Sequence, residues 1–185
     1  MSLDLFVHCN SSKRPTTKQI FDSLAARQIG AALFEDCINY KPVRAGPLKS
    51  CIILGWMPKS FDRARLDEIL KRGDKKQLDR LYAKEVFASA GFDVHRAADY
   101  YEMFDDDYLD SRAGEIDQHF IDFMKSAKTV YEIRTSAGRT DLSWRFQMAL
   151  CRVIAESVDG LIEEPQMGEL FFPKDAERYF GGLAQ

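Results

Sequence analysis

The sequence predicts an α+β fold, a mixed and mostly antiparallel sheet with helices packed mainly on one face. Three observations carry that expectation. Periodicities run as strand, helix, two strands, two or three helices, strand, helix and hairpin, with no clean βαβα alternation. The apolar run Cys51-Ile52-Ile53-Leu54-Gly55-Trp56-Met57 has the continuity of a central strand covered on both faces. The 185 residues, 45% of them hydrophobic, fit one domain over 1–185, with ample core material and no linker, repeat or low-complexity run to divide it.

Each element has its own local signal. From Leu3 to Cys9 the chain alternates, so Leu3, Leu5, Val7 and Cys9 share one face of a strand. Asn10 to Thr17 is polar, basic and broken by Pro15, which makes a loop. Thr16 or Thr17 then caps a helix carried by Ile20, Phe21, Leu24 and Ala25, and Gly30 ends it. Ala31 to Ile38 is a second strand, followed by a connection at Pro42, Gly46 and Pro47. Within the apolar run, Gly55 marks a bulge or a close backbone approach.

Ser60 caps the next helix, which starts near Phe61 and turns Leu66, Ile69 and Leu70 inward until Gly73-Asp74 breaks it. Leu78, Leu81, Tyr82, Val86 and Phe87 continue as a second helix closed by Gly91, with a charged outer face facing water. Val94 to Ser111 is irregular. Ile116, Phe120, Phe123 and Met124 mark another amphipathic helix, and Thr129 to Thr135 alternates as a strand with Tyr131, Ile133 and Thr135 on one face. The longest helix spans Thr140 to Val158 on a stripe of Leu142, Phe146, Ala149, Leu150, Val153 and Ile154. Asp159-Gly160 ends it, and Leu161-Ile162 and Leu170-Phe171-Phe172 form a hairpin around Pro165 to Gly168.

That ending carries a resemblance. Ala149-Leu150, Ala155-Glu156, Asp159-Gly160-Leu161-Ile162, Pro165-Gln166 and Gly168 resemble the helix-plus-hairpin close of uncharacterised bacterial α+β domains, some of them small immunity-type proteins that bind and block a toxin. The resemblance implies a binding module and carries over no catalytic residue.

Charge and composition narrow the partners. A net charge of −3 disfavours nucleic acid and anionic membranes, both of which attract a basic balance. Met1 to Cys9 contains Asp4, has no basic start and is too short in apolar run for a signal peptide. No stretch approaches the ~20 apolar residues of a membrane span. A cytoplasmic location follows, in which Cys9, Cys37, Cys51 and Cys151, scattered without CxxC spacing, stay free thiols packed as small hydrophobes.

Catalytic signatures are missing. The chain has no phosphate-cradling GxxxxGK[ST] or GxGxxG, no HExxH and no GxSxG. An EF-hand starting at Asp105 needs an oxygen ligand fifth, Gly sixth and Glu twelfth, where this chain has Leu109, Asp110 and Ile116. His8 and Cys9 point to opposite faces of their strand, and His95 and His119 lack metal-binding spacing. No catalytic residue, metal ligand or cofactor is expected.

Two segments remain as candidate sites. Tyr100, Tyr101 and Tyr108 interleave with Asp105, Asp106 and Asp107, an acidic–aromatic surface suited to a basic protein partner. This is the favoured reading: a non-catalytic protein-binding module of the immunity or adaptor kind. The alternative is an enzyme or small-anion binder built on Arg134, Ser136, Gly138, Arg139 and Thr140, where a strand passes through a Gly-containing loop into a helix N-terminus. Thr140 or Asp141 is equally an ordinary helix cap.

Overall fold

The computed structural model describes residues 3–12, 14–35, 41–43, 45–56, 63–84, 87–104, 108–112, 114–135, 140–166 and 168–175. All strands join one antiparallel sheet: β1 (Leu3–Cys9), β2 (Gly30–Phe34), β3 (Cys51–Trp56), β4 (Ala88–Arg96), β5 (Thr129–Thr135), β6 (Leu161–Glu164) and β7 (Glu169–Phe171). Their order across the sheet is β2-β3-β4-β5-β1-β6-β7. The fold is α+β, as the periodicities predict. The first strand in sequence lies inside the sheet, paired with β5 (Leu5 opposite Ile133) and β6 (His8 opposite Leu161).

That position explains why β1 is buried on both sides, whereas its alternation suggests one. Leu5, Val7 and Cys9 face the main core, and Phe6 and His8 are buried on the opposite face. On the first face lie α1 (Thr17–Ala26) and α7 (Asp141–Val158). Thr16 caps α1 in a capping box with Gln19, and Thr140 caps α7 by accepting from Ser143 N–H. The 18-residue α7 buries Phe146, Leu150, Val153 and Ile154 against the sheet. Each such side chain contributes roughly 1.5–3 kcal/mol when fully buried. Packing, more than helix propensity, holds α7 in place.

The shorter helices cover the second face, which refines the expectation of one-sided packing. At the β2–β3 end, α2 (Arg63–Arg72) and α3 (Lys75–Ala83) bring Leu66, Ile69 and Leu78 onto Ala32, Phe34, Leu54 and Trp56. At the other end, α4 (Ala97–Glu102), α5 (Tyr108–Ser111) and α6 (Gln118–Ser126) sit over β1, β5, β6 and β7.

Gly91 does not end a helix. Ala88, Ala90 and Phe92 alternate inward with Ser89 and Gly91 between them, a period of two that continues to Arg96 as β4. The segment expected to be irregular therefore begins as strand and turns directly into α4. Cys37, Ser60, Phe61 and Val86 lie outside the described residues.

The end of α7 shows a division of labour between two neighbours. Asp159 takes the left-handed conformation, with φ 51° and ψ 49°. Gly160 is needed for space instead: a Cβ there would lie 2.6 Å from Val7 Cγ1 and 2.9 Å from the His8 carbonyl oxygen. Gly160→Ala is expected to cost about 1–3 kcal/mol through overpacking against β1. Urea unfolding measures it, and an unchanged midpoint would contradict this close approach.

Candidate functional site

The acidic–aromatic segment sits where β4 gives way to α4. Arg96 ends the strand in extended backbone, and its guanidinium holds Asp99 through Nε–Oδ2 at 2.7 Å and Nη2–Oδ1 at 2.5 Å. The helix then places Tyr100 and Tyr101 on the second face of the sheet. Tyr100 is only 2% exposed, and its ring packs 5.2 Å from Phe6, beside Ala97 and Val130. This corrects the expectation that Tyr100 offers contact surface. A central strand needs cover on both faces, and Tyr100 supplies it over Phe6.

Tyr101 and Tyr108 are half-buried, with their hydroxyls turned inward. Tyr101 stacks on the His8 ring at 5.9 Å. Its Oη–H donates to the Met124 carbonyl at 3.1 Å, which leaves the oxygen to accept from His8 Nδ1 at 2.9 Å. His8 Nε2 meets Glu163 Oε2 at 2.8 Å. Both His8 ring nitrogens are thus engaged by oxygen atoms, one from α4 and one from β6. Arg112 donates from Nη1 to Glu163 Oε1 and to Tyr108 Oη, the latter at 2.9 Å, and Tyr108 Oη–H reaches Glu163 Oε1 at 3.3 Å.

His8 and Glu163 have side chains fully shielded from solvent, so this is a buried ion network joining β1, β6, α4 and α5. Burial by itself would raise the Glu163 pKa. Hydrogen bonds and positive charge from His8, then from Arg112, outweigh it and hold the carboxyl at about 2. Burial first, and the Glu163 charge second, push the Tyr100, Tyr101 and Tyr108 hydroxyls up, keeping them protonated donors. Shielded from solvent at His8 and Glu163, the network clamps α4 and α5 to the sheet.

The exposed part of the segment falls elsewhere. Met103 is 63% and Phe104 46% exposed, the only large hydrophobics so exposed among the described residues. Phe104 stacks on Tyr108 at 4.8 Å and so stands on the clamped layer. Asp99, Glu102 and Asp110 surround the pair in sequence, and Asp110 is matched by Lys125 Nζ at 2.6 Å. Asp105, Asp106 and Asp107 lie outside the described residues.

The second candidate segment is not assembled as an anion site among the described residues. Tyr131, Ile133 and Thr135 face α7, so Arg134 projects from the other face of β5. There its guanidinium pairs with Asp93 and lies 3.7 Å from Glu132. Thr140 is the α7 cap. Ser136, Gly138 and Arg139 lie outside the described residues.

Sequence reasoning passed over Glu163 and Arg112. A usable signal was present: Glu163-Glu164 continues an otherwise apolar hairpin strand, and a carboxylate buried there requires cationic partners. The described cysteines are buried free thiols, and burial pushes Cys51 up to about 12, with the Asp93 charge adding to it. Among the described residues, no three His, Cys, Asp or Glu side chains group as metal ligands, and no helix is long and apolar enough to cross a membrane. A cleft of 530 Å³ lies at the β2 edge, between Phe21, Ile29, Val43 and Trp56. No family model, curated protein or solved structure matches this chain.

Proposed function

We propose that this chain is a non-catalytic protein-binding module that presents Met103 and Phe104, with the carboxylates around them, to a basic and partly apolar face of a partner protein. The observation that carries the reading is the pairing of two exposed hydrophobic side chains with a rigid base. Elsewhere in the described chain large hydrophobics are covered, whereas these two stand out from helices pinned by Glu163. Exposed apolar area on an ordered support is the character of an interface core, and carboxylates beside it steer a basic partner. An immunity or adaptor role fits such a surface and the helix-plus-hairpin resemblance. Free, buried thiols favour action in the cytoplasm.

Site-specific photo-crosslinking tests the reading. A crosslinker replacing Met103 is expected to capture a discrete basic protein in cells of the native host. The same group at Lys76, exposed on α3, serves as the control. Absence of an adduct at position 103, or equal capture at position 76, contradicts the proposed surface.

A further inference from the structure

We propose that the cleft beside α4 and α5 receives a lysine or arginine side chain of the protein partner as the anchor of the interface, an inference that rests on the binding reading above. The cleft has a volume of 310 Å³, at the lower end of the span of small-molecule pockets and enough for one long side chain. Its walls are Ala98, Leu109 and the sides of Tyr101 and Tyr108, and its rim carries Glu102, Asp110 and Lys125.

Charge decides the occupant. Lys125 already neutralises Asp110, whereas Glu102 has no hydrogen bond or ion pair among the described residues. Among the described rim residues Glu102 is left as the net negative charge, and Arg96, whose field reaches it, is already paired with Asp99. An anionic side chain is repelled there, and an apolar one would strip water from Glu102 without replacing it. A basic side chain meets both demands. Its methylene stem lies along Ala98 and Leu109, and its head reaches Glu102.

Attraction to the tyrosine ring faces is not the basis of the fit. His8 occupies one face of Tyr101, and Tyr108 carries the Arg112 guanidinium 5.6 Å from its ring centre and Phe104 stacked at 4.8 Å. The rings form walls, and the carboxylate gives the selectivity. Because Met103 and Phe104 follow Glu102 directly, a basic residue flanked by apolar ones uses the cleft and the hydrophobic pair together, which a free amine cannot do.

Amide NMR titration with short synthetic peptides tests this. The peptides carry a central arginine, lysine or uncharged citrulline between two phenylalanines. Arginine and lysine peptides are expected to shift the amides of residues 98–102 and 108–110 saturably. Citrulline is expected to bind about threefold to fivefold more weakly, as is the arginine peptide to Glu102→Gln. Glu102 is exposed and unbonded, so that variant keeps the fold. Equal binding of citrulline, shifts confined to other regions, or no shift with any peptide overturns the proposal. Crosslinking from position 103 separates the two readings. If it persists undiminished in Glu102→Gln, the anchor fails and the surface stands. If it is absent in the unaltered chain, the surface itself fails.

Discussion

Glu163→Leu is expected to cost roughly 3–5 kcal/mol and to lower the melting temperature by roughly 6–20 °C. The loss arises because His8 stays buried without its carboxylate and Arg112 loses its strongest acceptor, while Tyr108 keeps one bond of two. Replacing the whole set, with His8→Leu, Glu163→Leu and Arg112→Met together, is expected to recover most of that loss, since no buried charge is then left unmatched. Thermal unfolding of the single and triple variants decides it, and a triple variant far less stable than the single one contradicts the clamp. Acid provides a second reading. The Glu163 carboxyl titrates at about 2 in the fold against 4.5 when unburied and unpaired. A lowered folded-state pKa means the native chain binds fewer protons than the unfolded one, so stability falls as pH falls. Its contribution is complete above about pH 5 and drains away from 4.5 toward 2. In Glu163→Gln the decline between pH 5 and 3 is expected to be shallower in urea-midpoint measurements.

Phe146→Ala is expected to cost roughly 3–5 kcal/mol, the range for removing a buried aromatic ring. Its ring lies directly on Gly55 of β3, where a Cβ would fall 2.1 Å from Phe146 Cε2. Gly55→Ala alone is expected to cost about 1–3 kcal/mol, because the ring must leave its rotamer or α7 must lift from the sheet. The two changes are not independent. Once the ring is gone, the added methyl occupies part of the cavity, and the double variant is expected to fall short of the sum by about 1 kcal/mol or more. Additive costs in urea unfolding contradict the close approach that lets α7 lie on the centre of the sheet.

Much of this architecture is legible in local pattern. Thr16 and Thr140 cap the helices they precede, and Tyr131, Ile133 and Thr135 share the core face as their spacing demands. Gly55 is the close approach that its place in an apolar run suggests. Misreadings arise where burial comes from strand order, which no local window contains. The first strand shows one apolar face, but insertion between β5 and β6 buries Phe6 and His8 as well. That second face recruits Tyr100 as cover, so a tyrosine among acidic residues becomes core, and the exposed apolar side chains of the segment are Met103 and Phe104. The ion network is hidden for the same reason: His8 and Glu163 are separated by 155 residues and meet only because β1 pairs with β6. Arg134, attractive beside a Gly-containing loop, is taken by Asp93 from the neighbouring strand.

Hydrogen exchange by mass spectrometry on Glu163→Gln addresses most directly whether buried charge, rather than apolar contact alone, seats α4 to α6 and so holds Met103 and Phe104 outward. Faster exchange confined to residues 97–126, with β2 and β3 protected as in the unaltered chain, is the predicted result. Exchange in 97–126 that does not change, or that accelerates equally across the whole sheet, would contradict it.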